Sequence, residues 1–334
     1  KSTRVRMQDW GRVDEAVAWL RRNARASEAP FFMHLGFTQP HPGDGFRTSP
    51  HYRDMITEER VTLPEKDREI HPVMAYMRAT KNCVQDFPDA EVRRMRRHYF
   101  AMIAEVDAMV GEVLTAAESM GLLANTYFIY TSDHGEMGLE HGQYLKNALY
   151  EPSARVPLAM RGPGVPAGSV VDAPVSLLDV FPTLMEMARL APPDFLEGRS
   201  LLPLLRGGDA GRPDWVLSQY HANMQNTGSF MLRRGDWKYI AYAGFEPQLF
   251  NLREDPGEMH NQAACRPEVR KEMDARLRGI LDYEAVDAHV KDYDRASFRR
   301  WRQEASEEAY RSTMTKLFRG WGEAQFEQIE AWLR

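Results

Sequence analysis

Tyr127-Phe128-Ile129-Tyr130-Thr131-Ser132-Asp133-His134-Gly135-Glu136-Met137-Gly138-Leu139-Glu140-His141-Gly142-Gln143-Tyr144-Leu145-Lys146 is the stretch that decides how this chain is read. Its first five residues are aromatic or β-branched and predict a buried strand. An Asp-His pair comes directly after, where ligands bind at the carboxyl ends of strands in open α/β sheets. Asp133 offers a hard anionic oxygen to a divalent cation. His134 offers a neutral nitrogen. Gly135 and Gly138 let the backbone turn closely around a bound group. Lys146 supplies a mobile cation for an anionic oxygen or a leaving group. A lone Asp-His at a strand end is as often structural as functional. Asp, His and Lys together with three glycines within residues 132–146 favour a site.

Outward from that stretch, apolar runs alternate with helical periods. Glu91 to Gly121 predicts a helix, with Val92, Met95, Tyr99, Met102, Val106, Met109 and Val113 on one stripe and Gly121 as its stop. Asp14 to Arg25 predicts another, with Val13, Ala16, Val17 and Leu20 on its apolar face. Phe31 to Phe37 reads as a strand buried on both faces, with His34 as a core residue. It opens into Gln39-Pro40-His41-Pro42-Gly43, so His41 sits on a strand-end loop that could face Asp133. From Phe46 to Pro88 no period is sustained, which predicts a long polar surface excursion. His71 lies in it and could fold over the site. Val156 to Met160 predicts an edge strand because of Pro157, and Val175 to Leu190 a helix. This alternation predicts an α/β layer architecture.

Beyond Pro213 the character changes. Trp215 to His221, Ser229 to Arg234 and Trp237 to Tyr242 predict short antiparallel strands, the last two joined by a hairpin turn at Gly235-Asp236. His221 ends the first of them. Helices are expected from Pro267, and the tail from Ala296 carries Trp301, Phe318, Trp321, Phe326 and Trp332, expected to pack on the body. Residues 1–212 thus read as an α/β core domain, and 213–334 as a small antiparallel-sheet subdomain plus helical tail. His51, His98 and His260 show only surface context. The 43 basic and 48 acidic residues of the 334 give a net charge of −5, so no basic excess supports nucleic-acid binding. No apolar run reaches the roughly 20 residues of a membrane span. Two cysteines exclude a disulfide framework.

Several of these segments together resemble one family. They are Ser132 to Lys146, Tyr150-Glu151, Arg155-Val156-Pro157-Leu158 and Gly162-Pro163-Gly164. Pro40-His41-Pro42 after an apolar run, and Gln248-Leu249-Phe250-Asn251-Leu252 through Asp255-Pro256, belong with them. The pattern is similar to the sulfatase family of the alkaline-phosphatase-like superfamily. Asp9-Trp10, His71-Pro72-Val73, Thr80-Lys81-Asn82-Cys83 and Asp236-Trp237-Lys238-Tyr239 extend the likeness from end to end.

The resemblance implies an alkaline-phosphatase-like mixed sheet flanked by helices, with the small antiparallel sheet and the tail appended. It implies a sulfuric ester hydrolase acting on a sulfated sugar such as 2-sulfoglucuronate, or on an aryl sulfate. Asp133 and His134 would be ligands of one calcium ion. Lys146 would bind the sulfate and its bridging oxygen, and His41 would contact sulfate or act as general acid. His71, His141 and His221 would contact substrate. Parents of this type are secreted, periplasmic or lysosomal, which the chain itself does not reveal.

The family nucleophile is a formylglycine made from the cysteine of C-x-(P/A)-x-R. Cys83 precedes Val84-Gln85-Asp86-Phe87, and Cys265 precedes Arg266-Pro267-Glu268-Val269, so neither fits. An Asp-Asp calcium pair is likewise not found. The expectation is a chain lacking the N-terminal third of the family, with the nucleophile upstream. Two alternatives stay open: a phosphodiesterase or phosphonate monoester hydrolase on the same scaffold, and a catalytically inactive truncated homologue.

Overall fold

The computed structural model describes residues 3–5, 7–24, 29–43, 45–80, 86–208, 211–221, 224–317 and 322–333. Lys81 to Cys83, Phe318 and Trp321 lie outside them, as does the side chain of Trp332.

Helix α1 (Met7–Asn23) starts earlier than its periodicity predicts, because Trp10 joins Val13 and Val17 on the buried face. That face packs on Met109 and Ala116, which lie on the longest helix of the chain. The predicted excursion is instead structured. It holds α2 (Pro50–Met55), whose first turn is capped by the Ser49 hydroxyl accepting from Tyr52 N, and α3 (Pro72–Thr80). Val61, Val73, Met74 and Met77 are buried there. Short helices broken by prolines leave no long period to read, yet each buries one face.

Helix α4 (Asp89–Ser119) closes as predicted at Gly121, which takes a φ of 67°. Gly121 N donates to Glu118 O and Leu122 N to Ala117 O, a Schellman closure. Strand β1 (Phe128–Thr131) leads into the site loop. Helix α5 (Glu151–Ala154) and strand β2 (Leu158–Arg161) come next. β1 and β2 pair antiparallel, Phe128 opposite Arg161 and Thr131 opposite Leu158. Both strands are only half covered, not buried. The run 31–37 forms no strand and joins no ladder among the described residues. Its side chains alternate between half-buried and exposed, with Phe32 73% exposed and His34 exposed, so the expected two-face burial and core histidine are not found. Trp19 of α1 meets Phe31 edge-on at 5.3 Å and covers one side only. Helix α6 (Val180–Met187), entered by a Ser176–Asp179 capping box, and α7 (Leu202–Leu205) complete this part.

Strands β3 (Trp215–Tyr220), β4 (Ser229–Arg234), β5 (Trp237–Tyr242) and β6 (Phe245–Asn251) form an antiparallel meander in chain order. The fourth strand carries the Leu249-Phe250-Asn251 segment. It is joined to β5 by a two-residue turn where Gly244 sits at a φ of 79°. The sheet is a middle layer. Met231, Ile240, Tyr242 and Phe250 pack one face against α3 and against Met137, Leu149 and Tyr150. Phe230, Leu232, Tyr239 and Leu249 pack the other against Met273 and Leu277 of α8 (Pro267–Arg278) and against Tyr283. All ladders among the described residues are antiparallel.

The tail is α9 (Tyr283–Glu304), α10 (Glu307–Leu317) and α11 (Glu323–Leu333). Among the described residues, Trp301 and Phe326 pack within the tail instead of on the body as expected. Tyr310, Met314 and Phe326 form a cluster with Phe298, Trp301 and Ile329, all from the tail itself. Three amphipathic helices in succession can bury their stripes on one another. The tail is moored near the start of α9, where Asp287 accepts from Gly228 N at 2.6 Å.

Candidate functional site

His41 is carried by a loop held on two buried carboxylates. Asp9 accepts from Thr38 N and Gln39 N at 3.1 and 3.0 Å. Glu105, fully buried in α4, accepts from Trp10 Nε1 at 2.8 Å and from Gln39 Nε2 at 3.0 Å. A buried carboxylate left with unmet lone pairs is costly, so these bonds pin residues 38–39 and thereby aim the histidine two positions on. The His41 Nδ1 accepts from Gly43 N at 3.1 Å, which leaves Nε2 to carry the proton of the neutral ring.

The loop after β1 folds back on α5. Gly135 N donates to Ser153 O at 2.8 Å and Glu136 N to Pro152 O at 2.9 Å. A Cβ on Gly135 would lie 2.0 Å from Pro152 O, so no other residue fits there. Met137 N donates to Leu145 O and Leu139 N to Gln143 O, a tight hairpin that returns the chain to Lys146. The Glu136 carboxylate fastens it from inside, accepting from Leu145 N at 2.7 Å. Ser153 Oγ donates to Lys146 O at 2.7 Å.

These two loops bring four of the predicted site residues together. Lys146 Nζ lies 2.6 Å from His41 Nε2. The rings of His41 and His134 stand edge to face at 5.9 Å. His134 Nδ1 contacts Gly135 O at 2.7 Å, which fixes the ring and turns the Nε2 lone pair outward, 3.6 Å from Asp133 Oδ2. Asp133 is largely exposed. With a cation, two imidazoles and a carboxylate converging, the arrangement suits an anionic ester.

Calcium takes 6–8 oxygen ligands. Here one carboxylate and one imidazole nitrogen are adjacent, and no group of three His, Cys, Asp or Glu among the described residues could hold a metal. These residues alone do not fit a calcium ion; they make at most part of a ligand set. Cys265 is exposed beside the start of α8, with Sγ against Gln262 O. Cys83 lies outside the described residues.

The other three predicted histidines are held by partners of their own. His141 is buried, stacked on Tyr150 at 4.0 Å, with Nδ1 2.7 Å from Asp67 Oδ1. His71 stacks on Tyr242 at 4.4 Å, with Nε2 2.8 Å from Glu246 O, in a groove shared with Phe245, Tyr283 and Glu284. Burial pulls its pKa below the ordinary histidine value. His221 sits edge-on to Phe230 at 4.9 Å, also lowered by burial.

The periodicity reading missed the supporting residues. Glu105 had a signal, an acid on the apolar stripe between Met102 and Val106. Lys238 of β5 is fully buried between Glu151, at 3.0 Å, and Glu258, at 2.8 Å. Burial pushes the Glu258 carboxyl up, against the opposing pull of Lys238.

The chain as a whole is similar to known proteins. The sulfatase family model matches residues 7–190, and that of the N-sulphoglucosamine sulphohydrolase C-terminal region matches 139–282. Arylsulfatase K of Bos taurus is 40% identical over 328 residues, covering 91% of this chain and 61% of that protein. The Homo sapiens protein of the same name is 39% identical over 323 residues, covering 90% and 60%. The chain therefore spans about three-fifths of the length of these relatives. Among solved structures, a phosphonate monoester hydrolase of Agrobacterium radiobacter superposes with a TM-score of 0.71 at 28% identity, covering 81% of this chain and 60% of that one. A 2-O GAG sulfatase superposes at 0.70 with 24% identity, covering 86% and 64%, which bears on the fold alone. The fold is of the alkaline-phosphatase-like kind, and with its family model matched across the whole first half, the chain belongs to the sulfatase family.

Proposed function

We propose that this chain is part of a sulfuric ester hydrolase that removes sulfate from a sulfated sugar, with 2-sulfoglucuronate the first substrate to test. The observation that carries the reading is the 2.6 Å approach of Lys146 Nζ to His41 Nε2. At that separation one nitrogen donates to the other, and the pair sets an ammonium and an imidazole side by side for the oxygens of one bound sulfate. Lys146 would hold the sulfate or its bridging oxygen and offset the charge that grows there as the S–O bond breaks. His41 would donate a proton from Nε2 to the leaving alkoxide. His134 lines the same spot, and Asp133 stands beside it. In this reading Asp133 and His134 contribute part of a calcium ligand set, and the formylglycine nucleophile comes from a segment ahead of Lys1.

A second reading, a phosphonate monoester hydrolase, draws on the likeness to the Agrobacterium radiobacter enzyme at 28% identity. The 40% identity to arylsulfatase K weighs more. The test is the parent enzyme assayed on 2-sulfoglucuronate oligosaccharides, 4-nitrophenyl sulfate and a phenylphosphonate ester. Sulfate release is expected to dominate, and Lys146→Ala to lower kcat/KM about 100-fold or more. Dominant phosphonate cleavage would select the second reading.

A further inference from the structure

Lys238 is fully buried on β5, and its Nζ reaches Glu151 Oε1 at 3.0 Å and Glu258 Oε1 at 2.8 Å. Glu258 also accepts from the main-chain N of Glu151, so it grips the first residue of α5 twice: directly, and through Lys238. Glu258 is presented by a tight turn. Asp255 accepts from Met259 N at 3.0 Å and His260 N at 2.8 Å, and Glu258 itself takes a φ of 56°. A non-glycine residue holds that conformation only where its surroundings enforce it. The site loop is held by the next two residues of α5. Its Pro152 and Ser153 carbonyls receive Glu136 N and Gly135 N, next to His134. Its Ser153 hydroxyl binds the carbonyl of Lys146 itself.

We propose that Lys238 is a positioning residue for the site, locking α5 to the small sheet so that α5 holds the main chain at His134 and at Lys146 in one register. The proposal rests on the functional reading only in taking Lys146, His41 and His134 as the site. It gives the small sheet a task that ordinary packing does not require, because a lysine buried between two glutamates contributes no apolar area that methionine would not.

The experiment uses the whole chain, with inorganic sulfate as the probe by calorimetry and the imidazole resonances of His41 and His134 by NMR. Lys238→Met is expected to weaken sulfate about tenfold and to shift both rings. Lys238→Arg, which keeps the charge, should recover much of both. Leu249→Ala, which removes buried packing from the neighbouring strand, should lower Tm yet leave both readouts unchanged. The proposal is overturned if folded Lys238→Met leaves the rings in place, or if Leu249→Ala moves them as far. Should Lys238→Met not fold, Glu258→Gln carries the same test, and unshifted rings there overturn it. If the unmodified chain binds no inorganic sulfate, the ring resonances decide the role of Lys238 by themselves, and the functional reading is decided by the parent enzyme's assay.

Discussion

Lys146 and His41 stand 105 positions apart in the chain and 2.6 Å apart in space. Each was readable as a residue type in a suggestive place, but their meeting was not, since nothing local encodes it. Gly135 shows the residue-scale constraint most sharply. Its missing Cβ is what lets Pro152 O approach, so Gly135→Ala should cost about 1–3 kcal/mol by overpacking. A lower urea midpoint would report it, and an unchanged midpoint would mean α5 can yield. His71 gives a pH-dependent counterpart. Its folded pKa lies below the unfolded value near 6.5, so the unfolded chain takes up the proton first as pH falls. Stability from this source is flat well above pH 6.5 and declines below it. His98 and His221 are lowered too, both chiefly by burial, and act in the same direction. His71→Gln should therefore flatten, without abolishing, the drop in urea midpoint between pH 7 and 5. An unaltered slope would remove His71 from the account.

At the scale of elements, α1 and α4 hold the His41 loop through polar atoms as much as through packing. Glu105 receives Val5 N, Trp10 Nε1 and Gln39 Nε2 at 2.8 to 3.0 Å. Replacing it with leucine strands three donors, each worth roughly 1–3 kcal/mol when buried and unmet. Glu105→Leu should lower stability by several kcal/mol and broaden the His41 ring resonance. Glu105→Gln, which keeps an acceptor, should do less. Equal effects of the two would mean that size rather than hydrogen bonding matters there. The helix period in 91–121 was plain in sequence because one face is buried along its length. The segment 46–88 was not, because its helices are too short and too interrupted by proline to show a period. β6 also escaped, since its polar flank hides an apolar centre at Leu249 and Phe250.

At the scale of the molecule, the four-stranded sheet joins two cores, one shared with the site loop and one with α8 and the start of α9. The tail beyond is a separate, self-contained cluster, as is the core between α1 and α4. Ending the chain after Lys291 should therefore leave inorganic sulfate binding and the His134 resonance unchanged, as monitored by calorimetry and NMR. Loss of binding would mean the tail supports the site.

The sequence by itself determined the α/β alternation, the meander and its hairpin turn, the Gly121 stop and the residue types at Asp133, His134, His41 and Lys146. These are local properties: side-chain period, turn chemistry and capping act within a few residues. Tertiary structure alone decided that His34 is exposed, that His71, His141 and His221 take partners of their own, and that Lys238 is buried against Glu151 and Glu258. Burial and ion pairing depend on which surfaces meet across the fold, and no short window of sequence contains both sides of such a contact.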